Sequence, residues 1–381
     1  MRNHRVALVA SSFHPHSGGV EEHVSQVARE LRSQGIPVVV WTVDRGEHLG
    51  TQVVDGVEIR YLPTPLPSRS FRGVLHFLAA LPAALVSWWR AGRSFRPTIL
   101  HIQCFGPNGL YATLFARLLG LPLVLTSHGE TFADDHAVFD RSALQRSALR
   151  SALTRAACVT ACSQVVLDDL ERRFGNGGGV VVPNGVEPAG ATPEGQLSDP
   201  AVVLAVGRLE RMKGFDLLIE AVARAQLPPG ARLVIGGEGS EAGALRRQSR
   251  ELGVEDRVSF PGRLSRLEVS DLMNRASVVV VPSRREAFGI VVLEAWRSGT
   301  PLVVTSRGGP ADLVTDGIDG LVVDPEDADA LAGRLGLVLG DPGLARRLGE
   351  RGRLRVGEFT WQRTVSAYLE VYDASSVPAR I

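Results

Sequence analysis

Residues 201–214, AVVLAVGRLERMKG, decide the fold. Their first half is a continuous apolar run, which is typical of a β-strand buried on both faces of a parallel sheet. A Gly-Arg loop follows, and an amphipathic helical pattern then runs from Gly214 to Ala225. The amides at the start of that helix, and the positive end of its dipole, would face the same space as the loop. This stretch therefore predicts a strand–loop–helix unit with an anion site at the carboxyl end of the strand.

Short apolar runs alternate with helical patterns on both sides of this stretch, and that alternation predicts α/β architecture with parallel sheets. The predicted strands of the first half are Val6–Ala10, Pro37–Val43, Ile99–Ile102, Leu123–Thr126, Val159–Ala161 and Val180–Val182. Those of the second half, besides the run quoted above, are Arg232–Ile235, Val258–Phe260, Ser277–Val281, Leu302–Thr305 and Gly320–Val323.

A chain of 381 residues is too long for one ordinary core. The polar, Pro/Gly-rich stretch Glu187–Pro200 is the expected boundary between two doubly wound domains, residues 1–188 and 199–359. The final segment, about 360–381, is amphipathic, with aromatic residues at helical spacing. We expect it to pack back on the first domain. In such sheets ligands bind beside the carboxyl ends of the strands, here in a cleft between the domains.

The loop after the quoted strand carries two cations, Arg208 and Lys213. Lys213 is the only lysine in a chain with 42 basic residues. An arginine can bind a phosphate with two parallel hydrogen bonds, and a lysine binds it as a compact charge. The pair therefore suits a diphosphate, although a merely solvated basic loop remains the alternative.

A second loop, PSRREAFGIVVLE at 282–294, leaves another apolar strand and opens a helix. Glu286 and Glu294 could each accept two hydrogen bonds from hydroxyl groups, as polyol recognition requires. The amides of Gly289, Ile290 and Val291 offer a second anion site at the helix start. A glutamate near a helix start can also serve only to stabilise the helix dipole.

Composition narrows the function classes. The net charge of +1 gives no general attraction to nucleic acid, and the three cysteines are too few for a disulfide framework. No metal-ligand constellation of the kind that metal-dependent transferases use stands out, so we expect neither a metal nor a cofactor. The first residues lack a secretory signal, which predicts a cytoplasmic protein.

Residues 60–96 form an arginine-rich region, which is positively charged although the chain as a whole is nearly neutral. No Asp or Glu occurs between Glu58 and Glu130, whereas seven arginines do: Arg60, Arg69, Arg72, Arg90, Arg93, Arg96 and Arg117. The apolar segment Val74–Trp89, which Pro82 interrupts, looks too short to span a bilayer. It could contact an anionic membrane peripherally, bind an anionic soluble acceptor, or be an ordinary buried helix.

The second loop resembles the E-x7-E signature of the retaining glycosyltransferases of the GT-B fold, family 4. Neighbouring motifs agree with that resemblance: Val182-Pro183-Asn184-Gly185-Val186-Glu187, Gly207-Arg208 with Lys213-Gly214, Gly236-Gly237-Glu238-Gly239, Phe260-Pro261-Gly262 and Gly308-Gly309-Pro310. Together they cover nearly the whole chain. The resemblance implies two Rossmann-like domains facing each other across a cleft.

The resemblance also implies roles for individual residues. Arg208 and Lys213 would hold the diphosphate of a nucleotide-sugar donor, which we expect to be a UDP- or GDP-sugar. Glu286 would bind hydroxyls of the donor sugar and Glu294 those of the ribose. The remaining donor-binding candidates are Gly18 and Gly19 in the first domain, Gly262 and Arg263 beside the base, and Phe288, Gly289, Ile290 and Val291 at the helix start.

In the first domain, His128 would contact the donor sugar near the reacting centre, and His14 and His16 are weaker candidates. The family often shows His-x-His after the strand at Ile99–Ile102; this chain has His101-Ile102-Gln103, which puts a role of His101 in doubt.

The implied activity is sugar transfer to an acceptor hydroxyl (a small molecule, a glycan or a lipid-linked intermediate) with retention of configuration. A nucleotide-sugar epimerase of the same fold is the main alternative. A pyridoxal-phosphate phosphorylase would need a lysine of its own, and a dehydrogenase would need a G-x-G-x-x-G turn where this chain has Ser17-Gly18-Gly19. A two-lobed sugar-binding protein is usually exported, and no export signal is visible.

Overall fold

The computed structural model describes residues 4–16, 18–68, 70–132, 138–188 and 200–376. The chain divides into two compact units. Unit 1 comprises residues 1–183 together with 361–381, and unit 2 comprises residues 184–360. Most of the stretch predicted as the linker, residues 189–199, lies outside the described residues, as do Ser17 and Arg69.

Unit 1 contains one eight-stranded sheet in the order β3-β4-β2-β1-β5-β6-β7-β8. Its strands are β1 Val6–Ala10, β2 Val38–Val43, β3 Thr51–Val54, β4 Val57–Leu62, β5 Ile99–Gln103, β6 Leu123–Ser127, β7 Cys158–Ala161 and β8 Val180–Val181. The helices between them are α1 Gly19–Ser33, α2 Phe71–Phe95, α3 Pro107–Leu119, α4 Val138–Arg141, α5 Ala143–Arg155 and α6 Gln164–Phe174. All pairings are parallel except that of β3 with β4.

Strands β3 and β4 were not predicted. They form a hairpin whose turn contains Asp55 and Gly56, both with positive φ. An Asp-Gly pair between β-branched runs is a strong signal for a hairpin of this kind. The hairpin could therefore have been predicted from the Asp55-Gly56 pair, which the sequence analysis overlooked.

Helix α2 is longer than the segment Val74–Trp89 that the sequence suggested. It extends from Phe71 to Phe95, with Ser70 accepting a hydrogen bond from the amide of Gly73 at its start, and it continues through Pro82. By length and composition alone it could cross a membrane, so the expectation that the segment is too short was wrong. Its second half packs on unit 1, where Ala84, Trp88 and Phe95 are buried.

Unit 2 contains a six-stranded, wholly parallel sheet in the order β11-β10-β9-β12-β13-β14. Its strands are β9 Val202–Val206, β10 Arg232–Gly236, β11 Val258–Gly262, β12 Val278–Val281, β13 Leu302–Thr305 and β14 Leu321–Val323. Its helices are α7 Phe215–Arg224, α8 Ala242–Glu251, α9 Arg266–Arg275, α10 Ile290–Ser298, α11 Gly309–Leu313, α12 Ala328–Gly340 and α13 Pro342–Arg355. Short 3-10 helices lie at Arg211–Lys213, Glu255–Arg257 and Val356–Glu358.

The last helix, α14 Trp361–Ser375, belongs to unit 1 and packs against α1. Its tyrosines enter the interior: the hydroxyl of Tyr368 lies 3.0 Å from Nε2 of His23, and that of Tyr372 lies 2.7 Å from Nδ1 of His101. Both tyrosines are fully buried. Burying hydroxyl groups is costly without hydrogen-bond partners, and these pairs supply them.

Each sheet has a point at which the strand order reverses. In unit 2 the chain proceeds from β9 outward to β11, and then returns to place β12 on the other side of β9. In unit 1 the corresponding neighbours are β1 and β5. The loops that leave two such strands diverge to opposite faces of the sheet and open a crevice, which is the usual ligand site of doubly wound folds.

Candidate functional site

The loop that leaves β9 is fixed by the backbones of its neighbours. The amide of Gly207 donates to the carbonyl of Gly236 at 3.0 Å, and the amide of Leu209 donates to that of Glu238 at 2.8 Å. The loop ends in the 3-10 turn Arg211–Lys213 and in Gly214, which has φ +67° and precedes α7. A side chain at Gly214 would also collide with the carbonyl oxygen of Pro282, on the loop after β12.

The two loops are joined by Arg284 in a way that the sequence did not predict. The amide of Arg284 donates to the carbonyl of Met212 at 2.9 Å, and its guanidinium donates to the carbonyl of Arg211 at 2.9 Å. The same guanidinium makes two hydrogen bonds to the carboxylate of Asp216, at 2.7 and 2.6 Å. Burial acts to raise the pKa of Asp216, but hydrogen bonds and charge from Arg284 outweigh it, and the pKa lies below its ordinary value.

Lys213 and Glu286 meet between these loops. Nζ of Lys213 lies 2.7 Å from Oε2 of Glu286, and the hydroxyl of Ser283 donates to the same oxygen at 2.8 Å. The side chain of Lys213 is 28% exposed and that of Glu286 is 13% exposed. The pair is therefore screened from solvent but still reachable by a ligand.

The backbone of Glu286 is tied to the loop after β13. Its amide donates to the carbonyl of Arg307 at 3.2 Å, and its carbonyl accepts from the amide of Gly309 at 2.9 Å. Gly308 has φ +129°, and a side chain there would collide with the backbone of Glu286. The glycines of the Gly308-Gly309 motif thus allow close approach, and they fix the direction of the Glu286 side chain.

Glu294 lies one turn into α10, where its side chain is half-buried. Burial raises the pKa of its carboxyl, while the charges of Arg297 and Arg266 act in the opposite direction. Within the described chain this carboxylate accepts no hydrogen bond. A partly desolvated carboxylate without donors is suited to accept hydrogen bonds from hydroxyl groups.

The start of α10 presents backbone rather than side chains. Gly289 has φ +81° and precedes the first helical residue, Ile290. The first amides of any helix have no partner within the helix, so those of Gly289, Ile290 and Val291 can bind an anion. Phe288 is only 3% exposed. Its side chain therefore belongs to the core, and only its backbone can contribute to a site.

Three further candidates lie at the ends of β9 and β11. Arg208 is exposed on the loop with Lys213, and Arg263 is exposed directly after β11. Gly262, with φ +84°, ends β11, and its carbonyl accepts from the amide of Gly237 at 2.8 Å. The predicted residues of unit 2 thus lie at or after the carboxyl ends of β9, β11 or β12.

The candidate in unit 1, His128, directly follows β6. Its Nε2 atom lies 2.8 Å from Oε1 of Gln103, and because that amide oxygen can only accept, Nε2 carries the proton. Burial lowers the pKa of His128 well below its ordinary value of 6.5, and the nearby His23 and His101 act in the same direction. The imidazole is therefore neutral, with Nε2 as a donor. The sequence missed Gln103, although it stands where the family often has its second histidine.

Glu130 fixes the loop that contains His128. Its carboxylate accepts from the amide of His128 at 2.7 Å, from the hydroxyl of Ser127 at 2.9 Å and from the amide of Phe105 at 2.8 Å. Burial raises the pKa of Glu130, although these hydrogen bonds oppose the rise. His101, whose role was in doubt, is fully buried and bonds Thr126 at 2.6 Å as well as Tyr372. His101 therefore stabilises the interior of unit 1.

The glycine loop of unit 1 is exposed. Gly18 precedes α1 and Gly19 is its first residue. At Gly19 nothing lies within 4 Å of where a Cβ would be, so the space beside it is open. The side chain of His16 lies 3.9 Å from Glu47, and the carbonyl of His14 accepts from the hydroxyl of Tyr61. No group of three His, Cys, Asp or Glu side chains that could hold a metal occurs in the described ranges.

Two doubly wound units, one of which joins a cationic loop to a carboxylate loop at its switch point, define the GT-B class of glycosyltransferases. Residues 17–189 match the family described as Glycosyltransferase Family 4, and residues 192–355 match the one described as Glycosyl transferases group 1. The chain belongs to this family and is a glycosyltransferase. It is 31% identical to a glycogen synthase of Mycobacterium tuberculosis over 97% of this chain and 95% of that protein.

Solved structures show the same fold. A sucrose-phosphate synthase from Thermosynechococcus elongatus matches with a TM-score of 0.78 and 24% identity, over 97% of this chain and 98% of that one. Anabaena HepE in complex with UDP-glucose matches with a TM-score of 0.73 and 21% identity, over 96% of this chain and 99% of that one. The GT-B fold that the sequence predicted is therefore confirmed.

Proposed function

We propose that this chain transfers a sugar from a nucleoside-diphosphate sugar to an acceptor hydroxyl, with retention of configuration and without a metal ion. The observation that carries the proposal is the contact between Lys213 and Glu286 at the switch point of unit 2. In this proposal the ammonium of Lys213 would bind the diphosphate, and the adjacent carboxylate of Glu286 would accept hydrogen bonds from sugar hydroxyls. The UDP-glucose bound by Anabaena HepE supports a donor of this class.

The leaving group determines what the cations must do. When the bond to the anomeric carbon breaks, negative charge develops on the departing diphosphate. Lys213 has three N–H donors, and Glu286 takes one of them, so the same ammonium can also bind a phosphate oxygen. Arg208 and the amides of Gly289–Val291 would add further donors. Fixed donors of this kind stabilise the developing charge without a metal.

The carboxylates would select the donor by its hydroxyl groups. Glu286 is held by Ser283 and Lys213 and would accept from the transferred sugar. Glu294 would accept from the ribose, for which its desolvated carboxylate is suited. The end of β11, with Gly262 and Arg263, would lie beside the base, which we propose to be uracil or guanine.

In unit 1, His128 would contact the transferred sugar, and Gln103 positions its ring by accepting the hydrogen bond from Nε2. Gly18 and Gly19 would leave room for donor phosphate and acceptor. The attack would occur on the face from which the diphosphate leaves, so that the leaving phosphate takes the acceptor proton and the configuration is retained.

The proposal is tested by incubating the chain with UDP- and GDP-sugars in EDTA, with and without a mixture of acceptor alcohols. We expect release of nucleoside diphosphate that depends on acceptor, and a product whose anomeric configuration by NMR is that of the donor. Inversion, or abolition of activity by EDTA, would contradict the mechanism. Conversion of the donor into an epimeric nucleotide sugar without acceptor would favour an epimerase.

A further inference from the structure

Helix α2 exposes an apolar stripe that the sugar-transfer site does not use. Its exposed large apolar residues are Phe71, Val74, Leu75, Leu78, Leu85, Val86 and Trp89. They recur at intervals of three, four and seven residues, and so lie on one side of the helix. Phe71 is 78% exposed and Leu78 is 55% exposed. This side of α2 is therefore a continuous apolar surface.

Helix α3 extends that surface. It packs against α2 through Phe115, which contacts the ring of the exposed Trp89 edge to face, with 6.5 Å between ring centroids. One turn apart, its Leu114 and Leu118 are 42% and 66% exposed. We call the exposed residues of these two helices the α2–α3 surface. Seven exposed large apolar residues lie on α2 and two on α3, against nine on all the rest of the described chain.

Within the described residues, the first half of α2 is only partly covered. From Phe71 to Ala83 no residue is buried, and burial begins only at Ala84. From there on the opposite side of the helix is anchored, since Trp88 is buried and its Nε1 donates to the carbonyl of Pro63 at 3.1 Å. If α2 spanned a bilayer, these contacts of its second half with unit 1 would be lost. The helix is thus arranged to lie along a surface rather than across a membrane.

Charge decides which partner the α2–α3 surface fits. Arg72 and Arg90 are exposed and 18 residues apart, which is five helical turns, so both lie along the same side of α2. Arg93, Arg96 and Arg117 are also exposed on or beside these helices. No acidic residue lies between Glu58 and Glu130 to neutralise them. A second copy of the chain would bring these same cations, whereas an anionic bilayer offers both hydrocarbon and negative charge.

We propose that the α2–α3 surface docks this chain on anionic membranes, with the apolar stripe inserted at the headgroup boundary and the arginines beside the phosphates. This inference does not rest on the proposed sugar transfer. It would place the enzyme where acceptors carried by lipids are found.

The test is flotation of the full chain with vesicles of phosphatidylcholine, with and without phosphatidylglycerol, at low and high salt. We expect binding only to the anionic vesicles, weakened by salt. Leu75→Glu/Leu78→Glu should weaken it about tenfold or more, because two apolar side chains are lost from the interface and two repelled charges are added. Leu267→Glu/Leu354→Glu is the matched control, since both leucines are highly exposed in unit 2.

The charge is tested separately. Arg72→Gln/Arg90→Gln should weaken binding to anionic vesicles about tenfold and reduce its dependence on salt. Arg247→Gln/Arg250→Gln is the control: both arginines are exposed on α8, and their replacement should change neither the binding nor its salt dependence. Equal binding to neutral vesicles, no vesicle binding, or equal loss in the controls would overturn the proposal. So would a stable dimer in light scattering that Leu75→Glu/Leu78→Glu dissociates, because a second copy would then be the partner. Unchanged melting temperatures show that the variants fold.

Discussion

Nζ of Lys213 lies 2.7 Å from Oε2 of Glu286, and the two residues are 73 positions apart in the sequence. They are brought together because β9 and β12 are neighbours in the sheet, and each residue lies on the loop that follows one of these strands. The only lysine of the chain is therefore held by the first carboxylate of the E-x7-E motif.

Lys213→Ala should lower kcat about a hundredfold to a thousandfold, because it removes a preorganised charge from the leaving diphosphate. Steady-state release of nucleoside diphosphate measures the loss. Arg211→Ala is the control, since it deletes an exposed cation from the same 3-10 turn. Near-normal turnover of the Lys213 variant would remove this residue from the mechanism.

Glu294→Gln should weaken binding of the free nucleoside diphosphate about tenfold, because an amide oxygen accepts hydrogen bonds from the ribose less strongly than a carboxylate. Titration calorimetry measures it, with Glu251→Gln, exposed at the end of α8, as the control. Unchanged affinity would show that this carboxylate does not contact the nucleotide.

Gly214→Ala should destabilise the protein by more than Gly253→Ala does. Both glycines have φ +67°, so both substitutions cost about 1 kcal/mol of backbone strain. At Gly253 nothing lies within 4 Å, whereas at Gly214 the new methyl group meets the carbonyl of Pro282. The collision should add about 1–3 kcal/mol to the loss of unfolding free energy, as measured in urea. Equal losses would mean that the two loops are not in close contact.

Arg284→Met should weaken nucleotide binding although Arg284 need not touch the nucleotide. It removes the guanidinium hydrogen bonds that join the loop after β12 to Arg211 and Asp216, and it leaves only the backbone bond to Met212. Affinity and melting temperature should fall together, whereas Arg285→Met, at the exposed neighbour, should change neither appreciably. A variant with a lower melting temperature but normal nucleotide affinity would show that these hydrogen bonds stabilise the protein without shaping the nucleotide site.

Stability should fall as the pH is lowered through about 6.5. Burial lowers the pKa of His101 well below its ordinary value of 6.5. As the pH falls through about 6.5, this histidine is therefore protonated in the unfolded chain but stays neutral in the folded chain. The unfolding free energy then decreases by up to about 1.4 kcal/mol per pH unit for this group, and His128 acts in the same sense. We expect the unfolding free energy of His101→Asn, measured by urea titration between neutral and mildly acidic pH, to depend less steeply on pH, by the equivalent of about one proton.

Much of the fold was predictable because the signals are local. Continuous apolar runs that end in polar loops identified β9 and β12, and the aromatic spacing of the last helix agreed with its position in unit 1. Residues 51–62 were missed because short, half-exposed strands give a weak alternation, although the Asp55-Gly56 turn was there to be recognised. The length of α2 was underestimated because its two ends, residues 71–73 and 90–95, contain arginine and glycine and so do not continue the apolar run.

The candidate site could be predicted residue by residue but not as a set of contacts. Sequence motifs indicate which residues follow strands, and the predicted residues of unit 2 lie at or after strand ends. That Lys213 bonds Glu286, that Arg284 bonds Asp216 and that Phe288 points into the core are consequences of tertiary packing. The same holds for Gln103, whose contact with His128 depends on the pairing of β5 with β6.

The single lysine allows a direct test of the central claim, because reductive ¹³C-methylation keeps its charge and leaves Lys213 and the α-amino group as the only labelled amines. UDP, GDP and other nucleoside diphosphates can then be titrated while the dimethyl-lysine signal is followed by NMR. We predict that at least one of them shifts this signal saturably, and that Arg211→Ala retains the shift. A lysine signal that stays unmoved while calorimetry shows the nucleotide bound, or the absence of binding by every nucleotide, would contradict the account.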